Sequence, residues 1–86
     1  MGNYILDDWA HLSAEYLLLE IQRGLLTPPS AVSMRRIADQ IGTTPQNVGM
    51  ALDYMIPIMK DKGYLLGRIS GKPVKIGIKI FLARRE

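Results

Sequence analysis

The segment of residues 37–52, with Gly42 inside it, constrains the fold more than any other part of the chain. Glycine takes the left-handed conformation that ends a helix at no steric cost, and the small Ala38 lets two helices approach closely. After the glycine, Thr43 or Thr44 can cap a second helix that has Pro45 near its first position. The segment therefore predicts two short helices joined by a tight turn.

The residues before this segment predict where its first helix begins. Pro28 and Pro29 form a rigid connector, and Ser30 or Ser33 can then cap a helix over 34–41. Beyond the turn, apolar residues at helical spacing point back into a shared core; they are Val48 and Leu52.

Two runs typical of strands follow, Tyr64 to Ser70 and Val74 to Ala83, separated by the turn cluster of residues 71–73. In the second run isoleucine, valine and leucine alternate with lysine, glycine, phenylalanine and alanine, which is the pattern of a strand with one buried face. The end of the chain thus predicts a β-hairpin.

A leading helix, a helix-turn-helix and a basic hairpin, in this order, resemble the winged helix-turn-helix domain of transcription regulators. The resemblance covers nearly the whole chain and implies one α+β, mainly α domain over residues 1–86, with three helices and a C-terminal hairpin wing. It also implies that the second helix of the motif enters the major groove of double-stranded DNA by its amino-terminal end.

The resemblance assigns roles to particular side chains. The expected base contacts are Thr44, Gln46, Asn47 and Met50. The expected phosphate contacts are Arg35, Arg36, Thr43, Arg68, Lys72 and Lys75. The base-contacting set holds no arginine, the usual partner of guanine, so the sequence favours modest or shape-based specificity. The alternative is that the polar residues of this helix are only solvated.

Charge is divided unevenly along the chain. Residues 1–33 hold four acidic residues and one basic residue, whereas residues 34–86 hold ten basic and four acidic residues. The basic part is the part with the helix-turn-helix, as a surface that faces a polyanion requires. The alternative interpretation is that these cations only solvate an exposed hairpin.

The amino-terminal segment predicts a helix that Asp7 or Asp8 caps, that runs to about Arg23 and that stops at Gly24. One face, expected to pack on the motif, carries Ile5, Trp9, Leu12, Tyr16 and Leu19. Further apolar residues occupy the other side of the helix; they are Leu6, Ala10, Ala14, Leu17, Leu18 and Ile21. This excess predicts either a helix buried on several sides or a homodimer with Leu17, Leu18 and Ile21 near its seam.

Pro57 interrupts the second helix of the motif. Proline removes a backbone hydrogen bond and clashes with the carbonyl of Asp53, so we expect a kink or a break. Either the helix ends near Ile56 with a short turn behind it, or one bent helix wraps the core.

Catalytic and metal sites are not expected. The chain has no cysteine, its one histidine (His11) lacks metal-ligand spacing around it, and no phosphate-loop or dinucleotide motif occurs. We expect no cofactor, no metal, no small-molecule effector and no membrane segment or signal peptide. The expected location is the cytoplasm, with nucleoid association if the source is prokaryotic or viral.

The sequence therefore predicts a small, sequence-preferring DNA-binding protein that regulates transcription. Two alternatives remain, because a fold of this kind serves several ends. One is a protein–protein interaction module in a replication or transcription assembly. The other is a non-specific architectural DNA-binding protein.

Overall fold

The computed structural model describes residues 3–69 and 79–85. This part of the chain is α+β and mainly helical, with three helices and one three-stranded antiparallel sheet. The elements in chain order are α1 (Asn3–Gln22), β1 (Ser30–Ser33), α2 (Met34–Ile41), α3 (Pro45–Asp61), β2 (Tyr64–Arg68) and β3 (Lys79–Arg84).

The two helices around Gly42 are confirmed. Ser33 caps α2 by accepting a hydrogen bond from the backbone N–H of Arg36, and Gly42 ends the helix with a φ of 78°. Thr44 caps α3 in the same way, with Pro45 in the first turn. These ends agree with the prediction because each depends on chemistry within four residues of the helix end.

The start of α1 was predicted wrongly. The helix begins at Asn3, so Asp7 and Asp8 lie inside it rather than at its cap. Asp7 faces His11 one turn later, with 3.6 Å between its Oδ2 and the histidine Nε2. The predicted stop is confirmed, since α1 ends at Gln22 and Gly24 follows with a φ of 74°.

The buried face of α1 is also different from the predicted one. Ala10, Ser13, Ala14 and Leu17 are buried, whereas Leu12 and Leu19 of the expected core face are 43% and 42% exposed. The apolar residues surround so much of the helix that their spacing did not single out one face.

This arrangement corrects one residue of the predicted dimer seam. Leu17 has no exposed surface and packs in the core of its own domain. Leu17 therefore has no exposed surface with which to contact a second copy of the chain. Leu18 and Ile21 are half-buried and pack at the margin of that core.

Helix α3 runs through Pro57 without ending. Of the two alternatives, the break near Ile56 is therefore wrong and the single helix is observed. Pro57 is exposed, while Met55 and Met59 on either side of it are fully buried. Burial of these methionines holds the helix on the core, and Asp53, whose carbonyl loses its helix partner to the proline, is an exposed residue.

The sheet contains one strand, β1, that the sequence analysis did not predict. Strand β1 pairs with β3, which also pairs with β2, so the strand order is β1-β3-β2. Val32, Ile80 and Leu82 lie on the inner face and join the helices in one core. Of the predicted strand runs, β2 covers 64–68 and β3 covers 79–84.

Candidate nucleic-acid interface

The turn between α2 and α3 is held by hydrogen bonds among its own side chains. The Oγ1 of Thr44 accepts from the backbone N–H of Asn47 at 3.2 Å, and the side-chain amide of Asn47 donates to the Oγ1 of Thr43 at 2.8 Å. Of the residues predicted to contact DNA, these three meet in one cluster. Their polar groups fix the start of α3, which carries the positive end of the helix dipole.

Two predicted base-contacting side chains project from this helix start. Gln46 is exposed, and Met50, one turn later, is 48% exposed. By contrast, Asn47 is half-buried and its amide group is already used by Thr43. At the amino-terminal end of α3, the exposed members of the predicted base-contacting set are therefore Thr44, Gln46 and Met50.

Arg36, one of the predicted phosphate contacts, is bound within the protein. Its Nη2 donates to the Oε1 of Glu20 at 2.9 Å, and its Nε donates to the hydroxyl of Tyr16, also at 2.9 Å. That hydroxyl donates in turn to Glu20 at 3.0 Å. The three side chains tie α1 to the first turn of α2.

This network changes which arginine of α2 is available to a phosphate. A phosphate at Arg36 would have to compete with a carboxylate that already accepts a charge-assisted hydrogen bond from it. Arg35, its neighbour, is exposed and has no hydrogen-bond or ion-pair partner among residues 3–69 and 79–85. Of the two arginines at the start of α2, Arg35 is therefore the more available to a phosphate.

The hydrogen bonds of the network shift the pKa values of its members. The bond from Arg36, and after it the bond from Tyr16, lowers the pKa of Glu20 below its ordinary value of 4.5. Burial raises the pKa of Tyr16 above 10.0. The bond to Glu20 raises the pKa of Arg36, so both charges of the pair are present at neutral pH.

We expect this pair to make stability depend on acid pH. A carboxyl group whose pKa is lower in the folded state stabilises the fold above its unfolded pKa and loses this effect as pH falls through the folded pKa. The difference in free energy of unfolding between the parent and Glu20→Gln should therefore narrow as pH drops below 4.5. Urea titrations from neutral to acid pH measure it.

Glu15→Gln is the matched control, because Glu15 is an exposed carboxylate on the same helix. Its difference from the parent should stay constant over the range in which that of Glu20→Gln changes. A Glu20→Gln difference that does not change with pH would contradict a stabilising pair in solution.

Arg68 connects the sheet to α3. Its Nη2 donates to the backbone carbonyl of Gly49 at 2.9 Å, which places the end of β2 beside the residue that precedes Met50. The carboxyl-terminal end of β2 is thereby positioned next to the exposed part of α3. The predicted contacts Lys72 and Lys75 lie outside the described residues.

The sequence analysis did not find the Tyr16–Glu20–Arg36 network. Tyr16 and Glu20 are four residues apart on a helix, a spacing that brings side chains together. Their joint partner is 16 residues further along the chain, so only the packing of α1 on α2 brings it to them.

Among residues 3–69 and 79–85, no three histidine, cysteine or acidic side chains cluster as metal ligands would. No helix of this part of the chain combines the length and the apolar character needed to span a bilayer.

Comparison of the chain with protein-family models, with curated protein sequences and with solved structures finds no match.

Proposed function

We propose that this chain is a winged-helix protein that binds double-stranded DNA and regulates transcription. Helix α3 enters the major groove and the C-terminal hairpin lies on the flanking backbone. The observation that carries the proposal is the amino-terminal end of α3, where Gln46 and Met50 project after a left-handed glycine turn. A hydrogen-bonding amide and an apolar side chain together suit the edges of adenine and thymine.

The charges around α3 support a polyanionic partner. Arg35 lies exposed in the first turn of α2, and residues 64–85 contain six basic residues and no acidic one. Each phosphate that such cations neutralise releases counterions, which is the main source of sequence-independent affinity. The lack of arginine at the exposed start of α3 favours modest specificity that depends partly on DNA shape.

A homodimer remains part of this proposal. A single helix-turn-helix covers a short half-site, and two-fold pairing places two α3 helices one turn of DNA apart. Leu18 and Ile21 keep partial exposure for a seam on α1. Leu12 and Leu19, seven residues apart on the same helix, add exposed apolar surface.

The same two leucines favour the second candidate, a protein–protein interaction module. Side chains seven residues apart lie on one side of a helix, so Leu12 and Leu19 can contact one partner surface together. In this alternative, α1 binds another protein of a replication or transcription assembly, and α3 has no DNA to contact.

Binding of labelled duplexes over a salt series tests the proposal. We expect the parent to bind with an affinity that falls steeply with salt, and Arg35→Ala to reduce the slope of log K against log salt by about 1. Arg23→Ala is the matched control, because Arg23 is an exposed arginine of the acidic part of the chain and should leave the slope unchanged. Electrophoretic mobility or fluorescence anisotropy measures the binding.

The outcomes separate the candidates. Equal affinity for a selected and a random duplex would favour the architectural alternative. Absence of duplex binding at low salt would refute the proposal and leave the interaction module. Equal slopes for the parent and Arg35→Ala would remove α2 from the docking face.

A further inference from the structure

Among residues 3–69 and 79–85, no helix covers the outer face of the sheet, and most of the side chains on this face are apolar. Residues alternate along β3, so Ile80 and Leu82 face the core while Lys79 and Phe81 face outward. Phe81 is 43% exposed and Leu65 on β2 is 45% exposed. On the opposite face, the buried strand residues join one core with the helices, of which α2 and α3 contact the strands.

Phe81 stands at the centre of this face between small neighbours. In the register of the sheet it lies opposite Ala31 on β1 and opposite Gly67 on β2. A Cβ built on Gly67 meets no atom within 4 Å, so the space beside the ring is open. A planar group can therefore lie against the Phe81 ring with the backbone of Gly67 below it.

The charges of the face specify the ligand further. Lys79 lies two residues before Phe81 on the same side of β3, and no acidic residue lies in β1, β2 or β3. An exposed aromatic ring beside a cation, with no anion nearby, suits unpaired bases on a phosphate backbone. The neighbours Ala31 and Gly67 carry no side-chain polar atom that could bind a 2′-hydroxyl, so the face offers RNA no contact that DNA lacks.

A second copy of the chain is a poorer occupant of this face. Three strands about 4.8 Å apart, with about five residues each at about 3.3 Å, present only a few hundred Å². A stable protein–protein interface needs about 800 Å² from each partner. Stacked bases need a far smaller contact area, because each base binds by stacking on a single aromatic ring.

We propose that the outer face of the sheet binds single-stranded DNA, with an unpaired base stacked on Phe81 and its phosphate near Lys79. This site lies on the other side of the sheet from α3 and does not depend on duplex binding. A chain with both sites holds a duplex and an unpaired strand at the same time.

Anisotropy with a dye-labelled oligothymidylate of about 12 nucleotides tests the site. Phe81→Leu keeps an apolar side chain but removes the ring, and we expect it to weaken binding about 5- to 150-fold, the range for one lost stacking contact. Phe81→Trp should retain the affinity. Leu12→Ala is the control, since Leu12 is also 43% exposed but lies on α1.

Gly67→Val supplies a second, independent variant. Valine is favoured in strands, and its side chain enters open space at this position, so the variant should fold like the parent by circular dichroism. It fills the space beside Phe81 and should weaken oligothymidylate binding while duplex binding persists. Arg35→Ala should show the opposite pattern, so failure of one site is distinguished from failure of the other.

Four results would overturn the inference. The first is no binding of oligothymidylate by the parent at low salt, and the second is unchanged binding by both Phe81→Leu and folded Gly67→Val. The third is tighter binding of an oligouridylate of equal length. The fourth is a dimer in sedimentation that Gly67→Val dissociates, because the face would then be covered by a second copy.

Discussion

Replacing Leu17 with alanine is expected to lower the free energy of unfolding by about 2–5 kcal/mol, the usual cost of truncating a fully buried leucine. Leu17 has no exposed surface and packs in the core that α1 shares with the other elements. Leu19→Ala is the matched control, because Leu19 lies on the same helix but is 42% exposed. Its cost should be below about 1 kcal/mol. Urea titrations measure both.

Sedimentation of the parent and of Leu18→Glu tests the proposed homodimer. If α1 forms the seam at Leu18 and Ile21, Leu18→Glu should give a folded monomer with sharply reduced affinity for a duplex of two half-sites. A parent that is monomeric at micromolar and higher concentrations, with and without DNA, would refute the homodimer. Equal destabilisation by Leu17→Ala and Leu19→Ala would contradict the orientation of α1.

Gln46→Ala is expected to relax the preference at one or two base pairs by about 1–3 kcal/mol, with little change in affinity for random DNA. The amide of Gln46 projects from the first turn of α3, where two hydrogen bonds to an adenine edge are possible. Selection of binding sites from a randomised duplex pool, for parent and variant, measures the change.

Asn47→Ala serves as the comparison, because the Asn47 amide donates to Thr43 within the turn. It should lower stability by removing that bond, and its effect on selected sites should be smaller than that of Gln46→Ala. If Gln46→Ala selects the same sites as the parent, bases are not recognised by this residue.

Only part of the candidate site could be predicted from the sequence. The sequence placed Gln46 and Met50 at the start of a helix, and both are exposed there. It treated Arg35 and Arg36 alike, and both are exposed, but the structure binds the side chain of Arg36, and not that of Arg35, to Glu20. Nothing in the local sequence distinguishes two adjacent arginines. Their difference arises because α1 crosses the start of α2 and presents a carboxylate to only one of them.

The sheet shows the same division. The alternation in the last run predicted that Ile80 and Leu82 are buried, and they are. The short segment 30–33 was not predicted as a strand, because four residues carry too little pattern. It forms strand β1 because its backbone pairs with one edge of β3. That pairing also places Ala31 beside Phe81.

The sequence by itself determined both ends of α2, the start of α3, the glycine turn between them and the buried side of β3. Caps, left-handed turns and alternation depend on residues within about four positions of one another. Only the tertiary structure decided which face of α1 is buried, that β1 joins the sheet and that Arg36 is bound to Glu20. These features depend on residues far apart in the chain, whose contacts exist only after the helices pack on the sheet.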